Sequence, residues 1–205
     1  MTVKEFFRSE AFKSVAVLMT IVIICGGVIA VCNGLFAVSP EEMRNRAISK
    51  IYGGMPERTD VLTIEENNKV NEYGSVDEAY FVVFDGQDNA LIKATGKNGY
   101  KGGTITLWVV IQLASDSSAV GINRVQYDSN TGQTLMSNFG ESFYLQFTQK
   151  NADIAAKKYF SADKLSAEPT ANVSVQSGAS FSSKAIINAV NAALHFAYEG
   201  GISHE

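Results

Sequence analysis

The stretch from Thr104 to Leu113, TITLWVVIQL, decides the fold of this chain. Its apolar side chains alternate with polar ones over much of its length, as in a strand that buries one face. The alternating apolar positions are Ile105, Leu107, Val109, Ile111 and Leu113. We therefore predict a long β-strand over 104–113.

Shorter strand patterns lie on both sides of this stretch. A continuous apolar run covers 80–84 and is closed by the turn pair Asp85-Gly86, and 90–94 and 119–127 are further candidates. The connections between these strands are too short for crossover helices, so the predicted sheet is antiparallel.

Helical patterns follow the strands. Phe139, Phe143 and Phe147 recur every four residues, and we interpret them as a core stripe and not as a flavin-stacking surface. A short helix is predicted over 152–160, and a final helix over about 182–197 carries a row of alanines. Strands followed by helices indicate an α+β domain in which helices pack on the antiparallel sheet.

The N-terminal part is predicted to be a membrane anchor. No charged residue lies between Ser14 and Pro40, and about 20 apolar residues are enough to cross a bilayer as a helix. The run is too long for a cleaved signal peptide. Basic residues are balanced on its two sides, and we favour a cytoplasmic N-terminus.

The predicted organisation is a cytoplasmic N-terminus over 1–13, a transmembrane helix over 14–38, a helix and connecting segment over 39–78, and a domain over 79–205.

Two smaller signals lie within this anchor and directly after it. Gly26-Gly27, Asn33 and Gly34 favour close packing against other membrane helices. After the anchor, Ser39 followed by Pro40 and two glutamates predicts the start of a helix that ends near Tyr52.

Composition excludes several classes of function. The chain has 17 basic and 21 acidic residues and a net charge of −4, which argues against nucleic-acid binding. Both cysteines, Cys25 and Cys32, lie in the hydrophobic segment, so disulfides and thiolate metal sites are not expected in the soluble part. His195 and His204 are interpreted as solvated surface, and no metal site is predicted.

The motif Ser177-Gly178-Ala179-Ser180 is the strongest chemical signal, because it runs directly into the final helix. A hydroxyl on a glycine-containing turn at a helix N-terminus is suited to a phosphate group. The alternative is that Ser180 is an ordinary N-cap. Two polar loops, 99–103 and 129–134, could approach a ligand or could be plain turns.

Taken in order, these features resemble the membrane-anchored FMN-binding subunits of respiratory ion pumps. The resemblance is to the G-type subunits of the Rnf complexes and to their homologues, the C-type subunits of the sodium-pumping NADH:quinone oxidoreductases. It covers nearly the whole chain, including Gly99-Tyr100-Lys101-Gly102-Gly103 and the Ser-Gly-Ala-Ser motif. The last hydroxyl of that motif forms a phosphoester with FMN in this family, and by position it is Ser180.

The resemblance implies a set of residues for the covalent FMN. Besides Ser180, the expected cofactor-binding residues are Ser177, Gly178, Ala179, Ser182, Ser183, Tyr100, Gly102, Gly103, Asn130, Thr131 and Leu135. It also implies electron transfer between ferredoxin and NAD in an ion-translocating complex, other membrane subunits as partners, a flavin transferase for maturation, and an extracellular or periplasmic domain.

The chain departs from the family pattern in two places. The stretch 172–176 lacks the aspartate that the flavin transferase recognises, and the family's Glu-Thr-Pro-Gly-Leu-Gly loop appears only as a loose variant over 130–135. Serine also replaces the usual threonine at 180. A flavin-free accessory subunit, the quinone-reductase subunit and a free-standing anchored flavoprotein remain as alternatives.

Overall fold

The computed structural model of the chain describes residues 10–36, 39–162, 171–199 and 202. Before residue 48, the side chains described are those of 12, 14–15, 17–29, 39, 41–42 and 44–47. The chain divides into two compact units, residues 1–47 and 48–205.

Helix α1 covers Glu10–Phe36. Taking only the residues that the structure describes, no helix combines the length and the apolar character that crossing a membrane requires. The span predicted over 14–38 is thus unconfirmed and stays a prediction. Residues 37 and 38, the side chains of Cys32 and Asn33, and His204 lie outside what the structure describes.

Helix α2 covers Pro40–Tyr52 and begins as predicted. The backbone N–H of Glu42 donates to Ser39 Oγ at 3.1 Å, so Ser39 is the N-cap. The helix ends where Gly53 adopts a φ of +78°, and the Gly53 N–H donates to the Ser49 carbonyl at 2.8 Å. A glycine in this left-handed conformation is the usual way to end a helix.

The second unit is built on a five-stranded antiparallel sheet in which the strands lie in chain order. The strands are β1 (Arg58–Val61), β2 (Gly74–Phe84), β3 (Gln87–Gly96), β4 (Thr104–Leu113) and β5 (Ala119–Thr131). The antiparallel sheet is confirmed, and the predicted bounds of β4 agree with the structure. The edge strand β1 was not predicted, because its sequence, Arg-Thr-Asp-Val, has no apolar alternation.

The remaining helices are short, except for the last. They are α3 (Glu66–Lys69), α4 (Glu141–Thr148), α5 (Asn151–Ala155) and α6 (Ser180–Tyr198). Single 3-10 turns cover Tyr100–Gly102 and Met136–Asn138. Strands β6 (Phe160–Ser161) and β7 (Ala171–Asn172) form a small parallel pair.

Two helix predictions need correction. Phe139, Phe143 and Phe147 are all buried, which confirms them as core, but Phe139 precedes α4 and is not part of it. The helix predicted over 152–160 ends at Ala155, because Lys157 has a φ of +56°. Phe160 instead lies in β6, where Asn191 on α6 binds both its N–H and its carbonyl, at 2.8 and 2.9 Å.

Helix α6 packs on one face of the sheet through its alanine row, as predicted. The contact is close at Gly96 of β3, where a Cβ atom would lie 2.0 Å from the Ala185 carbonyl oxygen. The opposite face of the sheet carries a second apolar cluster that includes Ile48, Ile51, Leu91 and Val110. The sheet is therefore buried on the face that α6 covers and partly buried on the other.

His195 is not solvated surface, which corrects the prediction. Its ring stacks on Tyr159 with centroids 6.3 Å apart and meets the edge of Tyr73 at 6.5 Å. Both rings lie near the C-terminal end of α6, because His195 is in its last turn.

Candidate functional site

A cavity of about 280 Å³ lies where three loops meet. Strands β4 and β5 are antiparallel, with Thr104 opposite Thr131, so the loop before β4 and the loop after β5 are neighbours. The turn before α6 closes the third side. The cavity is lined by Tyr100, Thr134, Leu135, Gly178, Ala179, Ser180, Phe181 and Ser182.

Ser180 is the first residue of α6, and the N-cap position belongs to Ala179. The interpretation of Ser180 as an ordinary N-cap is therefore wrong. Its side chain is exposed, and within the described part of the chain no hydrogen bond involves its hydroxyl. An alkyl side chain at the N-cap leaves the cap without a side-chain acceptor, and the Ser180 hydroxyl does not supply one.

The first turn of α6 also offers backbone donors. The Ser183 N–H donates to the Ala179 carbonyl at 2.9 Å. Among the described residues, the N–H groups of Ser180, Phe181 and Ser182 have no acceptor. Free N–H groups together with the positive end of the helix dipole favour an anion at this position.

Apolar side chains stand exposed around the Ser180 hydroxyl. Tyr100, Leu135 and Phe181 are 43%, 41% and 58% exposed. The Tyr100 and Phe181 rings meet edge to face with centroids 6.3 Å apart. Clustered exposed apolar side chains mark binding sites, and rings of this kind suit a flat aromatic ligand.

Gln133 holds the three loops of the site together, and its role was not predicted. The residue is 8% exposed. Its Oε1 accepts the Tyr100 N–H at 3.1 Å and the Ser182 hydroxyl at 2.8 Å. Its Nε2 lies 3.4 Å from both the Tyr100 and Thr131 carbonyl oxygens. One buried amide thus connects the loop before β4, the loop after β5 and the start of α6.

The glycines at 99 and 103 make room for this amide. A Cβ atom on Gly99 or Gly103 would lie 2.5 or 2.4 Å from Gln133 Nε2. Gly102 has a φ of +78° and open space around it, so it serves the turn itself. By contrast, Gly178, with a φ of +76° and no atom within 4 Å of a Cβ, borders the cavity.

The structure brings half of the expected cofactor-binding residues to the cavity wall, and the other half do not line the cavity. On the wall are Tyr100, Leu135, Gly178, Ala179, Ser180 and Ser182. Not on the wall are Ser177, Ser183, Gly102, Gly103, Asn130 and Thr131. Phe181 and Thr134 line the cavity and were not predicted, although Phe181 could have been inferred from its place beside Ser180.

Two of the residues that do not line the cavity, Ser183 and Asn130, have structural partners. Ser183 is fully buried, donates to the Ala179 carbonyl and accepts the Gln176 N–H, both at 3.0 Å. Asn130 Oδ1 accepts the Gln133 N–H at 3.2 Å. These contacts hold the turn before α6 and the loop after β5 in place.

The described lining residues carry no charge, and two lysines, Lys101 and Lys184, are close to them in the chain. Lys101 Nζ lies 5.3 Å from the centre of the Tyr100 ring. Lys184 is exposed and follows Ser180 by one helical turn, so both side chains lie on the same face of α6. A phosphate on Ser180 would be stabilised by Lys184 and by the helix N-terminus.

Comparison with protein-family models points to the same part of the chain. No curated protein matches the chain. A family model described as FMN-binding domain matches residues 99–195, a range that contains the whole cavity wall. The match suggests a flavin-binding role in electron transfer, and it identifies this part of the chain as similar to an FMN-binding domain.

Proposed function

We propose that this domain carries FMN as a phosphoester on Ser180 and transfers electrons within a membrane ion-translocating ferredoxin:NAD oxidoreductase complex of the Rnf type. The observation that carries the proposal is the Ser180 hydroxyl, which is exposed on the wall of the cavity and takes no part in capping α6. The match to an FMN-binding domain supports the choice of cofactor.

The residues of the cavity fit a flavin phosphate. Ser180 would hold the phosphorus, while the N–H groups of the first turn and Lys184 would face its remaining negative charge. Tyr100, Phe181 and Leu135 offer apolar contact for a flat ring. FMN supplies the electron-carrying chemistry when bound, and the residues of this chain position it and limit its movement.

The attachment needs an activated flavin, because a serine hydroxyl does not condense with a phosphate monoester in water. We propose a flavin dinucleotide as donor, brought by a flavin transferase. The Ser180 oxygen forms a new bond to the flavin-side phosphorus, and the anhydride bond breaks. The adenylate half then leaves, and a base on the transferase takes the hydroxyl proton.

The other hydroxyls of the motif are poorer candidates. Ser182 is 3% exposed and donates its proton to Gln133, and Ser183 is 0% exposed. Ser177 is exposed but does not line the cavity. The structure therefore favours Ser180 over Ser182 as the attachment point.

The membrane setting is part of the proposal. The apolar run within 14–38 would anchor the chain with its N-terminus in the cytoplasm and the flavin domain on the extracellular or periplasmic side. Gly26-Gly27 and Asn33 would pack against other subunits of the complex. The corresponding subunit of a sodium-translocating NADH:quinone oxidoreductase would have the same layout.

A flavin-free accessory subunit is the second candidate, and one observation favours it. The stretch 172–176, Asn-Val-Ser-Val-Gln, offers no carboxylate to a flavin transferase. In that case the domain would hold the complex together without carrying electrons.

Protein purified from its own host separates the two candidates. We expect the denatured band to fluoresce as a flavin, and mass spectrometry to find the phosphoester on the peptide that contains Ser180. Ser180→Ala should remove the fluorescence, whereas the matched control Ser177→Ala should keep it. An unmodified peptide from native membranes would exclude the flavin carrier and leave the accessory subunit.

A further inference from the structure

A second cavity, of about 170 Å³, lies against the C-terminal end of α2 and shares no lining residue with the Ser180 cavity. Its apolar wall is formed by Ile51, Tyr52, Phe84 and Val110. The Tyr52 and Phe84 rings lie 5.0 Å apart. A cavity of about 150 Å³ is enough to hold one benzene ring.

A β-bulge directs two polar side chains into this cavity. Val110 of β4 pairs with Arg124, but the next residue, Ile111, pairs with Ile122, so Asn123 is the extra residue. Ile122 and Val125 face the core under α6. The bulge thus places both Asn123 and Arg124 on the opposite face, where they line the cavity. Bulges often re-aim side chains in this way beside binding sites.

Arg124 is held in place but has no anionic partner. Its guanidinium donates to the Ile51 carbonyl at the end of α2. Among the described residues, no carboxylate lies within 4.0 Å of it. A guanidinium has several donors in a planar fork that matches a carboxylate, so most of its binding capacity is unused.

The Tyr52 hydroxyl is the second unused donor. It is buried, and no hydrogen-bond partner is found for it in the described part of the chain. A buried hydroxyl without a partner destabilises the folded state, and such atoms call for an explanation. An acceptor from a ligand would satisfy it.

We propose that this cavity binds a small planar carboxylate, with its ring between Ile51, Phe84 and Val110 and its carboxylate on Arg124 and the Tyr52 hydroxyl. Asn123 is already held by Asn89, to whose Oδ1 it donates at 2.8 Å, and forms part of the rigid rim. Asp85 is exposed on the rim and opposes an anion. The proposal does not depend on the flavin.

Equilibrium dialysis of the full chain against labelled benzoate tests it. We expect saturable binding at one site, and at least tenfold weaker binding of the neutral benzamide and of acetate, which lacks the ring. Tyr52→Phe and Arg124→Gln should each weaken benzoate binding about tenfold or more, as expected for hydrogen bonds to a charged group. Arg46→Gln, an exposed arginine paired with Glu42, is the matched control and should leave binding unchanged.

Two variants should change benzoate binding in opposite directions. Tyr52→Phe removes an unpartnered hydroxyl, so the free protein should melt at the same or a slightly higher temperature while losing benzoate. Asp85→Asn is compatible with the left-handed φ of 50° at this turn and should tighten binding about two- to fivefold. Absence of benzoate binding, equal binding of acetate, or unchanged binding by Tyr52→Phe would overturn the proposal. Ser180→Ala protein should bind benzoate as the parent does, so this result is independent of the flavin.

Discussion

Gln133 Oε1 accepts the hydroxyl proton of Ser182 at 2.8 Å across 49 positions of sequence. The same oxygen accepts the Tyr100 N–H, so the first turn of α6 is tied to the loop that carries an aromatic wall of the cavity. The exposed Ser180 hydroxyl is presented by a helix start whose position depends on this buried amide.

Gln133→Met keeps the length of the side chain but removes its hydrogen bonds. The Tyr100 N–H and the Ser182 hydroxyl would lose their acceptor, and we expect the free energy of unfolding to fall by about 2–3 kcal/mol. Urea denaturation measures this. Gln149→Met, at an exposed glutamine after α4, is the control and should change stability by less than about 0.5 kcal/mol. Equal effects of the two variants would contradict the role of Gln133.

Ser180→Ala and Ser182→Ala should rank oppositely in stability and in flavin content. Ser182→Ala removes a buried hydrogen bond and should cost about 1 kcal/mol while the flavin remains. Ser180→Ala should cost less than about 0.5 kcal/mol but leave no covalent flavin. Denaturant unfolding and in-gel fluorescence on the same samples provide both values. Flavin retained by Ser180→Ala and lost by Ser182→Ala would move the attachment point.

Gly103→Ala should be strongly destabilising, because its Cβ would lie 2.2 Å from the Thr131 carbonyl oxygen. We expect a loss of about 3 kcal/mol from overpacking. Gly140→Ala is a matched control, since the backbone angles are similar, with φ −70° and ψ 171° at Gly103 and φ −79° and ψ 172° at Gly140. The nearest atom to a Cβ on Gly140 is 3.9 Å away. Thermal unfolding should therefore separate steric overlap from any general effect of replacing glycine.

Tyr144 should make stability depend on pH in the alkaline range. Burial, with a smaller contribution from Tyr127, raises the pKa of Tyr144 to about 12, whereas a phenol in the unfolded chain titrates near 10. The unfolded state therefore releases its proton first, and this contribution to stability is present below pH 10 and lost as pH rises toward 12. Tyr144→Phe should reduce the fall in unfolding free energy over that window, as measured by urea titrations at several pH values. A slope identical to that of the parent protein would refute the assignment.

Much of the sheet could be predicted from short stretches of sequence. The alternation in 104–113 and the Asp85-Gly86 turn depend on neighbouring residues only, so β4 and the hairpin between β2 and β3 were recognisable. Strand β1 was not, because it is an edge strand whose pairing with β2 is set by the rest of the sheet. The end of α5 depends on the left-handed backbone at Lys157, for which the sequence carries no strong signal.

The candidate site likewise has one part that could be predicted from the sequence and one part that could not. Ser180, at the junction of a glycine turn and an amphipathic helix, was identified from its motif, because that motif is contiguous. Gln133 was not, since a single glutamine in a polar loop has no pattern, and its partners come from 33 and 49 positions away. Local periodicity and turn chemistry act over a few residues and are visible in the chain. The buried amide that joins three loops, and the bulge that turns Asn123 and Arg124 to one face, arise only when distant segments pack together and must satisfy each other's polar groups.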